Sequence, residues 1–284
     1  MGRRKTGKFI AGGHGPPPAV RRLEPRIERA LAGLVLAACV AFPAQAADEE
    51  GDVDEVTNRI SPTRFRSRFA IRNEYQDEQR GGYTNFLVPR VAYAFSPELA
   101  LRVEIPFVAV DPDAPGRDRK TGFGNLSTRL SWRMADRDAY ALVIGGELIL
   151  DTATDDALGS GKNVVSPFAF ASIRMPELRS FLFPYVQYYT SVSGDDARPD
   201  VHYTLLRSAL LTIWGDGFYS VVDPHLYLNH GQDGEAGMNL EVEAGRFLNP
   251  QTMLYLRPGV GVFGDNVPQI YNWNFEVGLR YFFN

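Results

Sequence analysis

Arginine at alternate positions is the first chemistry this chain offers. Arg64, Arg66, Arg68 and Arg72 are spaced by even numbers, and Arg90, Arg102, Arg129 and Arg133 recur farther on. Glu147, Asp223, Glu241, Glu243 and Glu276 follow in the second half. On an extended chain, residues two apart share a face, so these side chains can gather on one polar surface. Nucleophilic catalysis would need a base beside a nucleophile. The nearest approach is Asn229-His230-Gly231-Gln232-Asp233-Gly234, where Gln232 stands two residues after the histidine instead of a serine. His202 and His225 also lack a serine at that spacing, and Asp223 with His225 reads as a structural pair. No His/Asp/Glu group has metal-ligand spacing. Gly259-Val260-Gly261 has no helix after it to hold a phosphate. The sequence therefore points to no catalytic site, no metal and no cofactor.

Those polar faces must be positioned by an exported chain. Arg3, Arg4, Lys5, Lys8, Arg21, Arg22, Arg26 and Arg29 form a basic leader, followed by an apolar run from Ala30 to Phe42 and the small-residue site Ala44-Gln45-Ala46. That is the order of a secretory signal, cleaved after Ala46; the run is too short for a spanning helix, which needs roughly 20 apolar residues. Leu36-Ala37-Ala38-Cys39 resembles a lipobox, and lipidation there would start the mature chain at Cys39. The downstream site in good register favours Ala46, which leaves no cysteine. Residues 1–46 hold eight of the 30 Lys+Arg and two of the 34 Asp+Glu, leaving 22 against 32, a net −10. An acidic chain without a basic run is a poor nucleic-acid binder.

Beyond an acidic segment at 47–63, the hydrophobic period is two. Phe65, Phe69, Ile71 and Tyr75 oppose the arginines of 64–72 and Glu74. Leu99, Leu101, Val103, Ile105 and Phe107 alternate with Ala100, Arg102, Glu104 and Pro106. Leu126, Leu130 and Trp132 alternate with Ser127, Arg129, Ser131 and Arg133. Tyr271, Trp273, Phe275, Val277, Leu279, Tyr281 and Phe283 oppose Asn272, Asn274, Glu276, Gly278 and Arg280. Such segments are strands with one apolar and one polar face. Short links at 96–98, 135–138, 176–179, 215–217 and 248–252 alternate with longer polar loops at 76–82, 110–121, 152–163, 193–200, 231–237 and 263–269. Eleven links join about twelve strands, and the long–short alternation is that of a transmembrane antiparallel up-and-down β-barrel over 64–284. Aromatics near strand ends, such as Tyr93, Phe95, Trp132, Tyr140, Trp214 and Phe283, suit interfacial girdles. Pro89, Pro106, Pro167, Pro184, Pro224 and Pro258 run against this reading, because proline cannot donate to a ladder.

Gly122-Phe123-Gly124-Asn125-Leu126 leading to Trp132-Arg133, Ile105-Pro106-Phe107, Leu158-Gly159-Ser160-Gly161 before Pro167, and Gly278-Leu279-Arg280-Tyr281-Phe282-Phe283 resemble motifs of an outer-membrane barrel family labelled "MetA pathway of phenol degradation". The likeness spans most of 64–284. Asn125 stands where that family usually has Asp, Thr152-Ala153-Thr154 replaces a Pro-Thr-Gly-like stretch, and the chain ends in Asn284 rather than an aromatic. The resemblance implies an all-β barrel in the outer membrane of a Gram-negative bacterium, passing small compounds, aromatic or hydrophobic ones among them.

The expected role is passive passage of small solutes, with a closed structural barrel as the alternative and a soluble periplasmic β-protein or lipoprotein as a third reading. Expected partners are outer-membrane lipids, small-molecule solutes and, through the C-terminal strand, the barrel-assembly machinery. If the polar faces point inward, Arg64, Arg66, Arg68, Arg72, Arg90, Arg102, Arg129 and Arg133 make a basic wall. Glu147, Asp223, Glu241, Glu243 and Glu276 then make an acidic one. Such walls either set a transverse field across a pore or pair and fill the interior.

Overall fold

Alternating hydrophobicity is realised as strands in a computed structural model, which describes residues 61–231, 234–265 and 267–283. The expected signal segment 1–46, Cys39, the expected cleavage site after Ala46 and most of 47–63 lie outside the described residues. Fourteen ladder segments follow in order: β1 (Arg68–Glu78), β2 (Tyr83–Ser96), β3 (Leu99–Glu104), β4 (Phe107–Asp111), β5 (Lys120–Phe123), β6 (Leu126–Asp136) and β7 (Tyr140–Leu150). After them come β8 (Lys162–Met175), β9 (Ser180–Gly194), β10 (His202–Gly215), β11 (Phe218–Asn229), β12 (Ala236–Asn249), β13 (Thr252–Phe263) and β14 (Tyr271–Phe282). β3 and β4 are halves of one strand that breaks at Ile105-Pro106, since both pair with β2. β5 and β6 are halves of the next, broken at Gly124-Asn125. The strands thus number twelve, all antiparallel, each beside its chain neighbour. Pairing of β1 with both β2 and β14 closes the sheet. This is a transmembrane up-and-down barrel, a closed form that leaves no sheet edge. No helix among the described residues is long and apolar enough to cross a membrane.

The broken strands have a local cause. A Cβ at Gly124 would lie 2.8 Å from the Val108 side chain and 3.1 Å from Pro106, so the chain passes there only without a side chain. Asn125 Oδ1 accepts from the Thr152 and Ala153 amides at 3.3 and 3.2 Å. The side chain thereby satisfies donors that a continuous ladder would have paired.

Five of the six troublesome prolines resolve by direction. Pro89, Pro167, Pro184, Pro224 and Pro258 sit in continuous strands, at positions that alternate with the inward residues. Their rings therefore belong to the outer apolar face. Pro167 and Pro184 fall at gaps in the β8–β9 ladder, Pro224 at a gap between β10 and β11, and Pro258 at one between β12 and β13. Each keeps its pairing on the opposite neighbour. The missing N–H thus costs one side of the ladder only. Pro106 is the exception and ends its segment.

Burial runs opposite to that of a soluble protein. Phe69, Ile71, Val91, Leu130, Trp132, Leu148, Val186, Leu254, Leu256, Phe275 and Val277 are exposed on the outer face. Glu74, Glu104, Glu147, Gln187, Asp223, Asn239, Glu241, Glu243, Asn274 and Glu276 are buried inside. An apolar outer belt around a polar interior is what lipid on one side and water on the other select. Tyr271 departs from the expected apolar face. The β1–β14 register shifts at Asp77/Glu78, and Tyr271 is buried inside, donating to Glu241 at 2.8 Å.

Candidate functional site: the charged lumen

The inward positions of β1, β2, β3, β6, β7, β10, β11, β12, β13 and β14 bring guanidinium and carboxylate groups together at mid-height. Arg72 bonds Glu74 on its own strand and Glu276 of β14 at 2.7 Å. Glu104 is shared by Arg90 at 2.8 Å and Arg102 at 2.7 Å. Glu147 is shared by Arg102 at 3.2 Å and Arg129 at 2.6 Å, and Arg129 also reaches Gln187 at 2.9 Å. On the far side Asp223 takes Arg207 and, at 2.6 Å, Arg257. Arg280 meets Glu243 at 3.2 Å. His225 lies 3.0 Å from Asp223, in the structural role expected of that pair.

Tyrosines fasten the acids to the wall. Tyr219 donates to Glu243 and Tyr255 to Glu276, both at 2.6 Å. Each ring lies over a glycine of the next strand: a Cβ at Gly245 or at Gly278 would come within 2.3 Å of its tyrosine. Glycine there is the space the ring occupies. The short carboxylates consequently sit deep, whereas the longer arginines project past them. Arg207 keeps 29% of its side-chain surface against 1% for Asp223. Arg102 keeps 22% against 7% for Glu147. The arginine side chains thus keep more exposed surface than the carboxylates they hold.

Positions deduced from the sequence are placed as follows. Arg68 and Arg72 lie on β1, Arg90 on β2, Arg102 on β3, Arg129 and Arg133 on β6, Glu147 on β7, Asp223 on β11, Glu241 and Glu243 on β12, and Glu276 on β14. Arg64 and Arg66 are corrected: the first strand opens at Arg68, not Arg64, because the chain before it turns at Ser61–Arg64. Arg64 is exposed, and Arg66 lies 5.9 Å from the centre of the Phe282 ring. Arg133 belongs to the end that carries the short turns, with Asp136 at 2.9 Å and the Thr63 carbonyl at 3.4 Å. The expected separation into a basic and an acidic wall is also corrected. Glu74 and Glu104 stand within the basic side, and Arg207, Arg257 and Arg280 within the acidic side, because each desolvated charge needs an opposite one beside it. Arg207 and Arg257 carry no alternation signal, since their strands place aromatic and aliphatic groups inside as well.

Below this charged belt, toward the short turns, the interior becomes apolar. Phe181, Phe183, Ala209, Leu211, Ile213, Tyr219, Met253 and Phe282 form one buried cluster with Val221 and Phe247 against it. Ser61 and Thr63 are buried, 4% and 3% exposed, beside Asp136, Arg174 and Phe181 around a cavity of about 20 Å³. From there the chain returns to β1, where the Ser67 carbonyl accepts from the Phe283 amide at 3.0 Å. Residues 61–67 thus run at the short-turn end from beside Arg133 and Phe181 to the start of β1.

No protein-family model and no curated protein sequence matches the chain. Solved structures do resemble it. An outer-membrane channel from Pseudomonas putida F1 superposes with a TM-score of 0.60 at 14% identity, over 78% of this chain and 98% of that one. The NanC porin gives 0.54 at 9%, over 75% and 98%. The KdgM porin in complex with disordered oligogalacturonate gives 0.52 at 12%, over 76% and 99%. At these identities the likeness establishes the barrel fold, and the chemistry of the lumen has to be argued from this chain's own residues.

Proposed function

We propose that this chain is an outer-membrane channel for passive passage of small solutes, with a preference for anions. One observation carries the reading: inside an apolar belt, Arg102 and Arg207 keep more exposed side-chain surface than the carboxylates they hold. Fixed cations at the surface of a narrow lumen favour anions. Solved porins and channels of the same architecture support a channel role. The glycine-and-aromatic motifs resembling the phenol-degradation family support aromatic or hydrophobic compounds as cargo. Placement in the outer membrane, after removal of residues 1–46, belongs to the same proposal, as do lipid contact through the outer belt and delivery to the assembly machinery by β14. The channel role predicts no catalytic turnover.

Single-channel recording of the refolded chain in a planar bilayer tests this. The expected result is discrete conductance with a reversal potential toward that of the anion in a salt gradient, weakening as salt rises. Cation preference sinks the anion reading, and silence of a correctly folded barrel sinks the channel. A closed structural barrel is the second reading. The apolar cluster across the lower interior favours it, and the same recording decides.

A further inference from the structure

Among the mid-lumen arginines, Arg68 differs from the rest. Arg72, Arg90, Arg102, Arg129, Arg207, Arg257 and Arg280 each hold a carboxylate. Arg68 makes no ion pair with any described residue, and its Nε is buried without a hydrogen-bond partner. Its charged neighbours on β14, β2 and β3 are Arg280, Arg90 and Arg102. Register explains the gathering. Arg68 faces Ala92 of β2 and Phe282 of β14, and Arg102 faces that same Ala92. Arg90 and Arg280 both face Ala70. Four arginines on four adjacent strands, about 14 Å across at the backbone, therefore flank two buried alanines, which offer them no polar partner.

The surrounding acids have no charge to spare. Glu104 divides between Arg90 and Arg102, Glu147 between Arg102 and Arg129, and Glu243 between Arg280 and Arg257. A partly desolvated cation beside three others is unfavourable unless an anion completes it. Guanidinium forks match the two oxygens of a carboxylate.

We infer that Arg68, Arg90, Arg102 and Arg280 form a binding site for a small organic carboxylate, seated over Ala70 and Ala92. The site deepens the channel reading, because it rests on a lumen open to solutes, and it names the class of anion that lingers there. Arg68 supplies the unpaired charge, and the three neighbours hold the carboxylate's remaining lone pairs while keeping their own glutamates.

Calorimetric titration of the full chain refolded in detergent tests the site, with benzoate as probe and benzyl alcohol as its uncharged counterpart. Saturable benzoate binding at one site is expected, with none for benzyl alcohol. Arg68→Gln should weaken benzoate at least tenfold, whereas Arg246→Gln, beside Phe218 and away from the site, should leave it unchanged. Heat-modifiable gel mobility reports folding of every variant. If Arg68→Gln does not fold, Arg68→Lys and Ala92→Leu take its place. The lysine should keep most of the affinity, and the leucine, filling the floor with all four arginines intact, should abolish it. The inference is overturned if the wild type binds no benzoate, if benzyl alcohol binds equally, or if Arg68→Gln or Ala92→Leu binds as the wild type does. Recording separates the two proposals. Arg68-dependent binding in a barrel without conductance keeps the site and sinks the channel, and conductance with binding indifferent to Arg68 does the reverse.

Discussion

Two layers of the interior, stacked along the same strands, solve opposite problems. Around Asp223, Glu147 and Glu276 the wall buries carboxylates, and each is held by an arginine on a neighbouring strand and steadied by a tyrosine, glutamine or histidine. A few residues closer to the short turns, Phe181, Leu211, Ile213, Met253 and Phe282 pack as a soluble protein's core does. The upper layer pairs arginines with buried carboxylates; the lower one packs aromatic and aliphatic groups. A barrel's inward face is thus not polar by rule.

The largest expected effect breaks the upper layer. Asp223→Ala leaves Arg207 without its carboxylate and Arg257 with fewer, and stranding a buried charge costs roughly 3–5 kcal/mol. Urea unfolding from vesicles should show that loss. A change below about 1 kcal/mol would mean that water, not Asp223, solvates the pair.

Removing the lower layer should cost a similar amount and change function as well. Phe282→Ala empties part of the apolar cluster at about 3–5 kcal/mol. It should also raise single-channel conductance, since this ring obstructs the end at which residues 61–67 run. Unchanged conductance would place the constriction in the charged belt instead. Deleting residues 47–67 removes the described segment 61–67 from that end and should raise conductance further, most clearly at low salt.

Both layers share one outer belt, which Val277 samples between them. Val277 is 37% exposed on the outside while its neighbour Glu276 is buried inside. Val277→Arg should cost roughly 2–4 kcal/mol at mid-bilayer depth and block folding into vesicles, read by gel mobility. Normal folding would show that the belt lies elsewhere.

The smallest effect lies outside both layers, in the long loops. Asp200 accepts from Lys162 at 2.9 Å and from Ser191 at 3.0 Å. The Lys162 bond, with Ser191 behind it, holds the Asp200 carboxyl below the usual carboxylate range. Its contribution is present at neutral pH, above the unfolded value, and is lost as pH falls through the lowered folded value. Amide exchange across 195–201, corrected for its intrinsic pH dependence, should accelerate in acid and stay constant near neutrality; acceleration on going alkaline would contradict the assignment.

Much of this is legible in the order of residues alone. Strict alternation in 99–107 and 271–283 marks the strand faces, and link lengths count twelve strands with both ends at the short turns. Those signals are local, because lipid and water act on each residue separately and period two records the outcome. The partners of the charges are not legible in that way. Arg207 and Arg257 sit among inward-facing leucine, alanine, methionine and tyrosine neighbours, so no alternation marks them, and Glu104 reads as one acid in a basic stretch. Which arginine meets which carboxylate depends on register across several strands, and Arg68 is left unpaired only because Ala70 and Ala92 fall beside it. The sequence by itself determined the barrel and its two faces, since each follows from one chain segment meeting one solvent. Tertiary structure alone decided the apolar cluster, the inward turn of Tyr271 and the unpaired arginine, since desolvated groups take their energies from neighbours distant in the chain.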